Sequence, residues 1–284
     1  MKRISLFLYC SILLFGCSKD DAGTGNDATK AQTILNVAYG SDAKQNMDVY
    51  LPANRTTTST KLIILVHGGG WTEGDKADFN PYVLLLQQKF PNHAIININY
   101  RLNNGSTNRF PTQENDVKAA LEFINTKRNE YFISDKWAIL GASAGGHLAL
   151  LQAYKYASPV KLKAVVSFFG PTDLVDAYYN PVNPLVPLLL QNLTGTTPQI
   201  NSIVYEQSSP ITFVNAQSCA TLLLHGAKDP LVPLSQSQLL QVKLQAFAVP
   251  HQLVVYPNGG HGWDGADLID SFSKIESFLT QYLN

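Results

Sequence analysis

A serine stands between small residues in "GASAGGH", residues 141–147, directly after the apolar run "KWAIL". Ser143 therefore has two readings: a reactive hydroxyl raised on a sharp turn, or a polar residue in a flexible loop that enters a helix. The first is nucleophilic chemistry. A serine hydroxyl is a weak nucleophile until a neighbouring base takes its proton, so a histidine has to reach it. A carboxylate must then hold that histidine in its working tautomer and steady the imidazolium that forms. Six histidines are available: His67, His93, His147, His225, His251 and His261. Two glycine-rich stretches, "HGGGW" at 67–71 and "NGGHGW" at 258–263, could bring backbone and side-chain donors close to one point. A dinucleotide site would need G-x-G-x-x-G opening a helix, and a zinc hydrolase would need a Cys/His cluster or H-E-x-x-H; neither pattern is present, so catalysis without metal or cofactor is expected.

Such residues have to be placed by strands and helices, and the apolar pattern supplies them. "QTILNVAYG" and "QNMDVYLP" read as an opening hairpin at a sheet edge. "KLIILVHGGG" is a continuous apolar strand ending in glycines, followed by a helix near 81–89, the strand "HAIININY" and a long helix near 112–130. That helix has Val117, Ala120, Leu121 and Ile124 on one face, the stripe needed to cover a sheet. "KWAIL" is a short strand, "GGHLALLQAY" a helix and "LKAVVSFFG" a further buried strand. Strand "ATLLLHG", a helix near 234–247, strand "QLVVYP" and a helix near 266–282 complete the alternation. Buried strands joined by crossover helices predict an α/β fold, a mostly parallel sheet of about eight strands covered on both faces. Sites in such sheets form at the carboxyl ends of the strands.

Placed in this frame, Ser143 falls between a strand and a helix. Gly141 and Gly145 remove the side chains that would collide in a tight strand-to-helix reversal, which favours the raised hydroxyl. Residues 171–218, rich in Pro, Asn, Thr and Tyr, are too long for an ordinary connection and read as an insert of short helices, a lid or substrate wall.

The chain of 284 residues is 45% apolar and 15% charged with no net formal charge, which suits one substantial domain and gives no electrostatic reason to bind nucleic acid. Lys2 and Arg3 precede an apolar run from Ile4 to Phe15, too short to span a bilayer but suited to an export signal. "LFGC" resembles the lipobox of bacterial lipoproteins, which implies a signal peptide over 1–16, acylation of Cys17 and a flexible tether over 17–31 ahead of the domain at 32–284. Phe15 is bulkier than the usual residue there. "SKDD" resembles the acidic signal with which some lipoproteins reach the outer face of the cell, so the expected location is the bacterial outer membrane, held by lipid alone. Cys219 would be the one cysteine left in the body and reads as buried filler.

With the elbow, the glycine loop and the terminal histidine in this order, the chain from about residue 32 onward resembles an α/β-hydrolase of the carboxylesterase and lipase group, nearest the small esterases with an "HGGGW" loop. The resemblance implies Ser143 as nucleophile, His261 as base and Asp229, in "HGAKDPLVP", as acid. Asp173, after the preceding strand, is the rival acid, and His147, four residues past Ser143, the rival base. The resemblance also implies an oxyanion hole from the N–H groups of Gly69, Gly70 and Ala144. Trp71 either lines the substrate pocket or packs under the loop, and Tyr178 and Tyr179 are expected in the pocket wall. Arg101 and Asp116 resemble an internal pair that ties strand to helix.

The implied activity is hydrolysis of short-chain or aryl carboxylic esters through an acyl-serine intermediate, on a small-molecule or polysaccharide-linked substrate such as an acetyl or feruloyl ester. A prolyl peptidase-like serine peptidase and an arylformamidase-like amidase share these parts, and a binding protein that keeps the fold without turnover is the reading from another class.

Overall fold

A computed structural model describes residues 27–283 of the chain. The expected signal peptide, Cys17 and the tether as far as residue 26 lie outside the described residues. Residues 27–31, the end of the expected tether, are tied to the body instead: Arg55 donates from its backbone to Ala28 O and from its guanidinium to Lys30 O.

A hairpin comes first, β1 (Gln32–Ala38) with β2 (Asn46–Leu51). Then follow β3 (Leu62–Val66), a 3-10 turn (Lys76–Phe79), α1 (Asn80–Lys89), β4 (Ala94–Ile98), α2 (Thr112–Thr126), β5 (Trp137–Ala142), α3 (Ala144–Lys155) and β6 (Ala164–Phe168). The insert forms α4 (Leu174–Tyr179), α5 (Val186–Thr194), α6 (Ser202–Gln207) and a second 3-10 turn (Pro210–Phe213). β7 (Ala220–Gly226), α7 (Ser235–Ala246), β8 (His251–Tyr256) and α8 (Gly265–Tyr282) complete the chain. All eight strands join one sheet in the order β1-β2-β4-β3-β5-β6-β7-β8, parallel from β4 onward. The expected fold, an α/β-hydrolase sheet covered on both faces, is the one observed. Helix α2 stops at Thr126, short of the expected 130, because residues 127–132 turn and deliver Ile133 to the core, where it is fully buried.

The two faces are visible along single strands. In β3, Leu62, Ile64 and Val66 pack with residues of α2, α3 and α7, whereas Ile63 and Leu65 pack with α1 and α8. Alternation with period two sends neighbours to opposite sides, and both sides are apolar because both are covered. This is why β3, β4, β6 and β7 are buried at every residue.

The strand order reverses at β3. The chain leaves β3 toward β4 by way of α1 on one face, then returns to β5 on the other side of β3, and leaves β5 through α3 on the opposite face. Connections that part to opposite faces open a crevice at the carboxyl ends of β3 and β5. The glycine loop follows β3 and Ser143 follows β5, so both border this crevice.

The loop is propped from β4. The Tyr100 ring stacks on His67 at 4.3 Å, and its hydroxyl lies 3.0 Å from His67 O and 3.1 Å from Gly68 O. The next residue, Arg101, grips Asp116 of α2 with Nε to Oδ2 at 2.9 Å and Nη2 to Oδ1 at 2.6 Å. Asp116, 1% exposed, also accepts from Arg101 N and Gln45 Nε2. A buried carboxylate is tolerated when donors meet its lone pairs in this way. Asp116→Ala strands the guanidinium and two further donors, and is expected to lower the unfolding free energy by about 3 kcal/mol in urea denaturation at neutral pH. A loss below about 1 kcal/mol, the worth of an exposed pair, would show that this contact holds nothing together.

Candidate active site

Ser143 occupies the single residue between β5 and α3, with φ +54° and ψ −121°. A non-glycine residue in this region is strained by roughly 1–3 kcal/mol and persists only where its surroundings over-determine it. Here they do. Its N–H donates to Phe168 O at 2.8 Å, and its carbonyl accepts from His147 N at 3.0 Å. A Cβ on Gly141 would collide with the carbonyl of Gly145, and one on Gly145 with the carbonyl of Val66, so α3 can start this close to the sheet only with glycine at both places. The turn raises the hydroxyl above the sheet.

The hydroxyl meets a relay. Ser143 Oγ lies 2.9 Å from His261 Nε2, and His261 Nδ1 lies 2.7 Å from Asp229 Oδ2. A carboxylate only accepts, so Nδ1 holds the ring proton, Nε2 is the free lone pair, and the serine hydroxyl donates to it. Asp229 follows β7 and is 8% exposed. Burial pushes its carboxyl up, but the hydrogen bond from His261 and those from Val232 N and Leu231 N outweigh it and hold the group below the usual carboxylate range. Asp173, the rival acid, is occupied elsewhere: its Oδ1 accepts from Val175 N and Asp176 N and caps α4. The structure thus brings Ser143, His261 and Asp229 together and leaves Asp173 out.

The other histidines have different partners. His147 is fully buried; its Nε2 donates to Ser208 O at 2.7 Å, and its Nδ1 accepts from Trp71 Nε1 at 3.2 Å, so it bridges the glycine loop to the insert and faces away from Ser143. His225 donates from Nε2 to Val232 O, accepts at Nδ1 from Ser237 Oγ, and sits 3.6 Å from Asp229 Oδ2. Burial lowers its pKa, so it stands beside the carboxylate as a neutral ring that shapes the turn after β7. His67 donates from Nδ1 to Gly68 O and keeps the glycine loop folded. His251 opens β8 and bonds to Val249 O, and His93 packs on Phe90.

Beside Ser143 and His261 lies a cavity of about 550 Å³. Gly69 and Gly70 line it on one side. Ala144 opens α3, so its N–H has no intrahelical acceptor and belongs to the positive end of the helix. Trp71 does both things expected of it: an edge lines the cavity, while the indole is 4% exposed and packs under the loop against His147.

Tyr178 and Tyr179 are a correction, because neither lines the cavity. Helix α4 turns Leu174 and Ala177, three residues apart, toward it; Tyr178 packs on Tyr205 at 5.7 Å and Tyr179 points outward, about half exposed. The wall is mostly aliphatic, with Val186, Leu189, Leu190, Leu231 and Val232. Gln236, fully buried, faces it as well, and its amide is spent on Thr172 N, Asp173 N and Asp176. Leu189, with its neighbour Leu185, belongs to the apolar part of the insert expected to form the wall, and both line the cavity; Leu174, Ala177, Val186, Leu190, Leu231, Val232 and Gln236 carried no such signal in the sequence. A six-residue helix is too short for its period to reveal its facing. The signal for Leu231 and Val232 is a different one, their place just after Asp229. Phe169, whose ring lies 4.5 Å from His261, was also missed. Among the described residues no group of three or more His, Cys, Asp or Glu side chains is arranged to hold a metal ion.

The His147 bridge gives a dependence on pH. Burial lowers its pKa from 6.5 to about 4, and burial also lowers those of His67, His93 and His225. The unfolded chain then binds more protons than the folded one between pH 6.5 and 4, so stability is full above this window and falls as pH drops through it. His147 alone contributes up to about 1.4 kcal/mol per pH unit to that decline. Unfolding free energies measured from pH 7 to 4.5 are expected to fall less steeply in His147→Gln than in the native chain; equal slopes would mean that His147 titrates as it does when unfolded.

Comparison with known proteins agrees with this architecture. The BD-FAE family model matches residues 47–244. The chain is 27% identical over 263 residues to Esterase LipC of Mycobacterium tuberculosis, covering 86% of this chain and 64% of that protein. It is 25% identical over 242 residues to Kynurenine formamidase of Meyerozyma guilliermondii, covering 78% of this chain and 85% of that one. The chain spans just under two thirds of the length of the mycobacterial esterases it matches. Among solved structures, a truncated form of carbohydrate esterase from gut microbiota superposes with a TM-score of 0.75 at 25% identity, covering 90% of this chain and 98% of that one. A bifunctional GH43-CE protein of Bacteroides eggerthii gives 0.77 at 24% identity, covering 92% and 38%. The family match spans most of the sheet and the elbow at Ser143, on the same fold as these structures, and the chain belongs to the BD-FAE family.

Proposed function

We propose that the protein hydrolyses carboxylic esters with Ser143 as nucleophile. The observation that carries this reading is the unbroken relay from Ser143 Oγ through His261 to Asp229 at the mouth of an apolar cavity. Ser143 Oγ attacks the ester carbonyl while His261 Nε2 takes its proton, and Asp229 steadies the imidazolium. Negative charge that develops on the carbonyl oxygen is met by N–H groups of Gly69, Gly70 and Ala144, each such donor being worth about 3 kcal/mol in the transition state. Collapse breaks the bond to the alcohol oxygen, which receives the proton from His261. A water molecule, deprotonated by the same ring, then attacks the acyl-serine and releases the acid.

The names of the relatives support an ester as the bond cleaved, and the carbohydrate esterase among the solved structures supports an acyl group carried on a sugar. A cavity with an aliphatic wall beside the serine favours short acyl or aryl groups, acetyl and feruloyl included. The likeness to a kynurenine formamidase, over most of both chains, supports an N-formyl amide as second reading, since the same relay would attack it. We also propose that the chain is exported and held at the outer membrane by lipid on Cys17, on the lipobox "LFGC" alone.

The test is a release assay on p-nitrophenyl acetate and butyrate, beside a formamide and a dipeptide. The native chain is expected to prefer the esters. Ser143→Ala should lower turnover on the order of a thousandfold or more with its melting temperature nearly unchanged. Asp229→Asn should cost on the order of a thousandfold, because the ring loses its fixed tautomer, whereas Asp173→Asn should cost little. Near-native turnover in Ser143→Ala would sink the assignment. For the anchor, Cys17→Ser should shift the protein from membranes to the soluble fraction; retention after a high-salt wash would defeat it.

A further inference from the structure

Behind the reacting pair lies a second apolar space that the mechanism leaves unused. It is a chamber of about 70 Å³ on the α1 and α8 side of the sheet, across from the insert, walled by Tyr82, Leu140, Phe168, Trp263, Leu268 and Phe272. Its near wall is made of the chain neighbours of the reacting groups: Ala142, next to Ser143, and Gly262, next to His261. Phe169 is the one described residue that lines both this chamber and the main cavity.

Phe169 is also strained. Its φ of +39° is one that a bulky L residue rarely adopts, and it is imposed by a hydrogen bond from its N–H to Leu224 O at 2.8 Å and by packing of the ring on His261 at 4.5 Å and Trp263 at 5.6 Å. The strain holds an aromatic ring between two apolar volumes, immediately beside the base. We propose that Phe169 is a partition: it closes the aromatic chamber off from the acyl cavity and so keeps an acyl chain on Ser143 from gaining the chamber's apolar contacts. The chamber is a latent acyl subsite for medium-length aliphatic or aryl groups. This inference rests on the ester-hydrolase reading.

Phe169→Ala joins the two spaces. The ratio of kcat/KM for the octanoyl over the acetyl p-nitrophenyl ester is expected to rise roughly tenfold or more, the gain from one or more further methylenes in an apolar pocket. Any loss from poorer support of the His261 ring lowers both substrates alike and cancels in the ratio. Leu268→Trp refills the chamber from its far wall: it should leave the native ratio as it is and abolish the gain when combined with Phe169→Ala. Phe169→Leu, which keeps an apolar side chain on the strained backbone, should give an intermediate ratio and serves if the alanine variant does not fold. Calorimetric binding of octanoate gives a readout without turnover, expected roughly tenfold tighter in Phe169→Ala than in the native chain and restored in the double variant. An unchanged ratio with unchanged octanoate affinity in a folded variant would overturn the partition. Tighter octanoate binding in a protein that cleaves no ester would overturn the ester reading and keep the partition.

Discussion

The strained turn at Ser143 is the constraint on which the arrangement depends. Its backbone lies in a region that no ordinary loop would keep, and it stays there because β3, β5, β6 and the start of α3 converge on it. A side chain at position 145 would run into the carbonyl of Val66 at the end of β3, and the N–H of Ser143 is bound by Phe168 O at the end of β6. Three neighbouring strands of one parallel sheet therefore fix one residue. Because the interior is close-packed, a shift in any of these strands would be transmitted to the hydroxyl.

The loops around the turn are positioned by buried polar groups rather than by apolar contact alone. Tyr100 and His67 shape the glycine loop from below, and His147 joins Trp71 of that loop to Ser208 of the insert. Each ring nitrogen of His147 has a partner that dictates its tautomer, so the bridge works only with the ring neutral. Asp229 shows the opposite case, a carboxylate kept charged despite burial because three donors converge on it. Neutral rings for scaffolding and one stabilised charge at the relay are set by the same competition between desolvation and hydrogen bonding.

Much of the fold was legible from residues alone. Mostly apolar runs of five to seven residues bounded by glycine or polar residues, β3, β4, β6 and β7, read as strands covered on both faces, and the stripe on α2 reads as the face that covers them. The glycines at 141 and 145 imply a close approach of backbones, since no side chain fits there. These are local statements: period, length and the space a Cβ needs are properties of a few consecutive residues.

What the chain does between distant elements was decided only in three dimensions. Whether Asp229 or Asp173 faces His261 depends on which turn spends its carboxylate on its own backbone, and both turns do so, Asp173 with the oxygen that caps α4 and Asp229 with one oxygen while the other reaches the ring. The facing of α4, which puts Leu174 and Ala177 in the cavity and turns Tyr178 and Tyr179 away, follows from packing on Tyr205 and not from the composition of six residues. Phe169 looks like any strand-end aromatic in sequence, and its place between two apolar spaces arises because β6, β7 and the loop after β8 meet around it. Residue types and short spacings thus determined the sheet, the sharp turn and the candidates for chemistry. Partners separated by tens of residues were settled by the tertiary structure, because hydrogen-bond and packing choices there depend on distances that no short window of sequence contains.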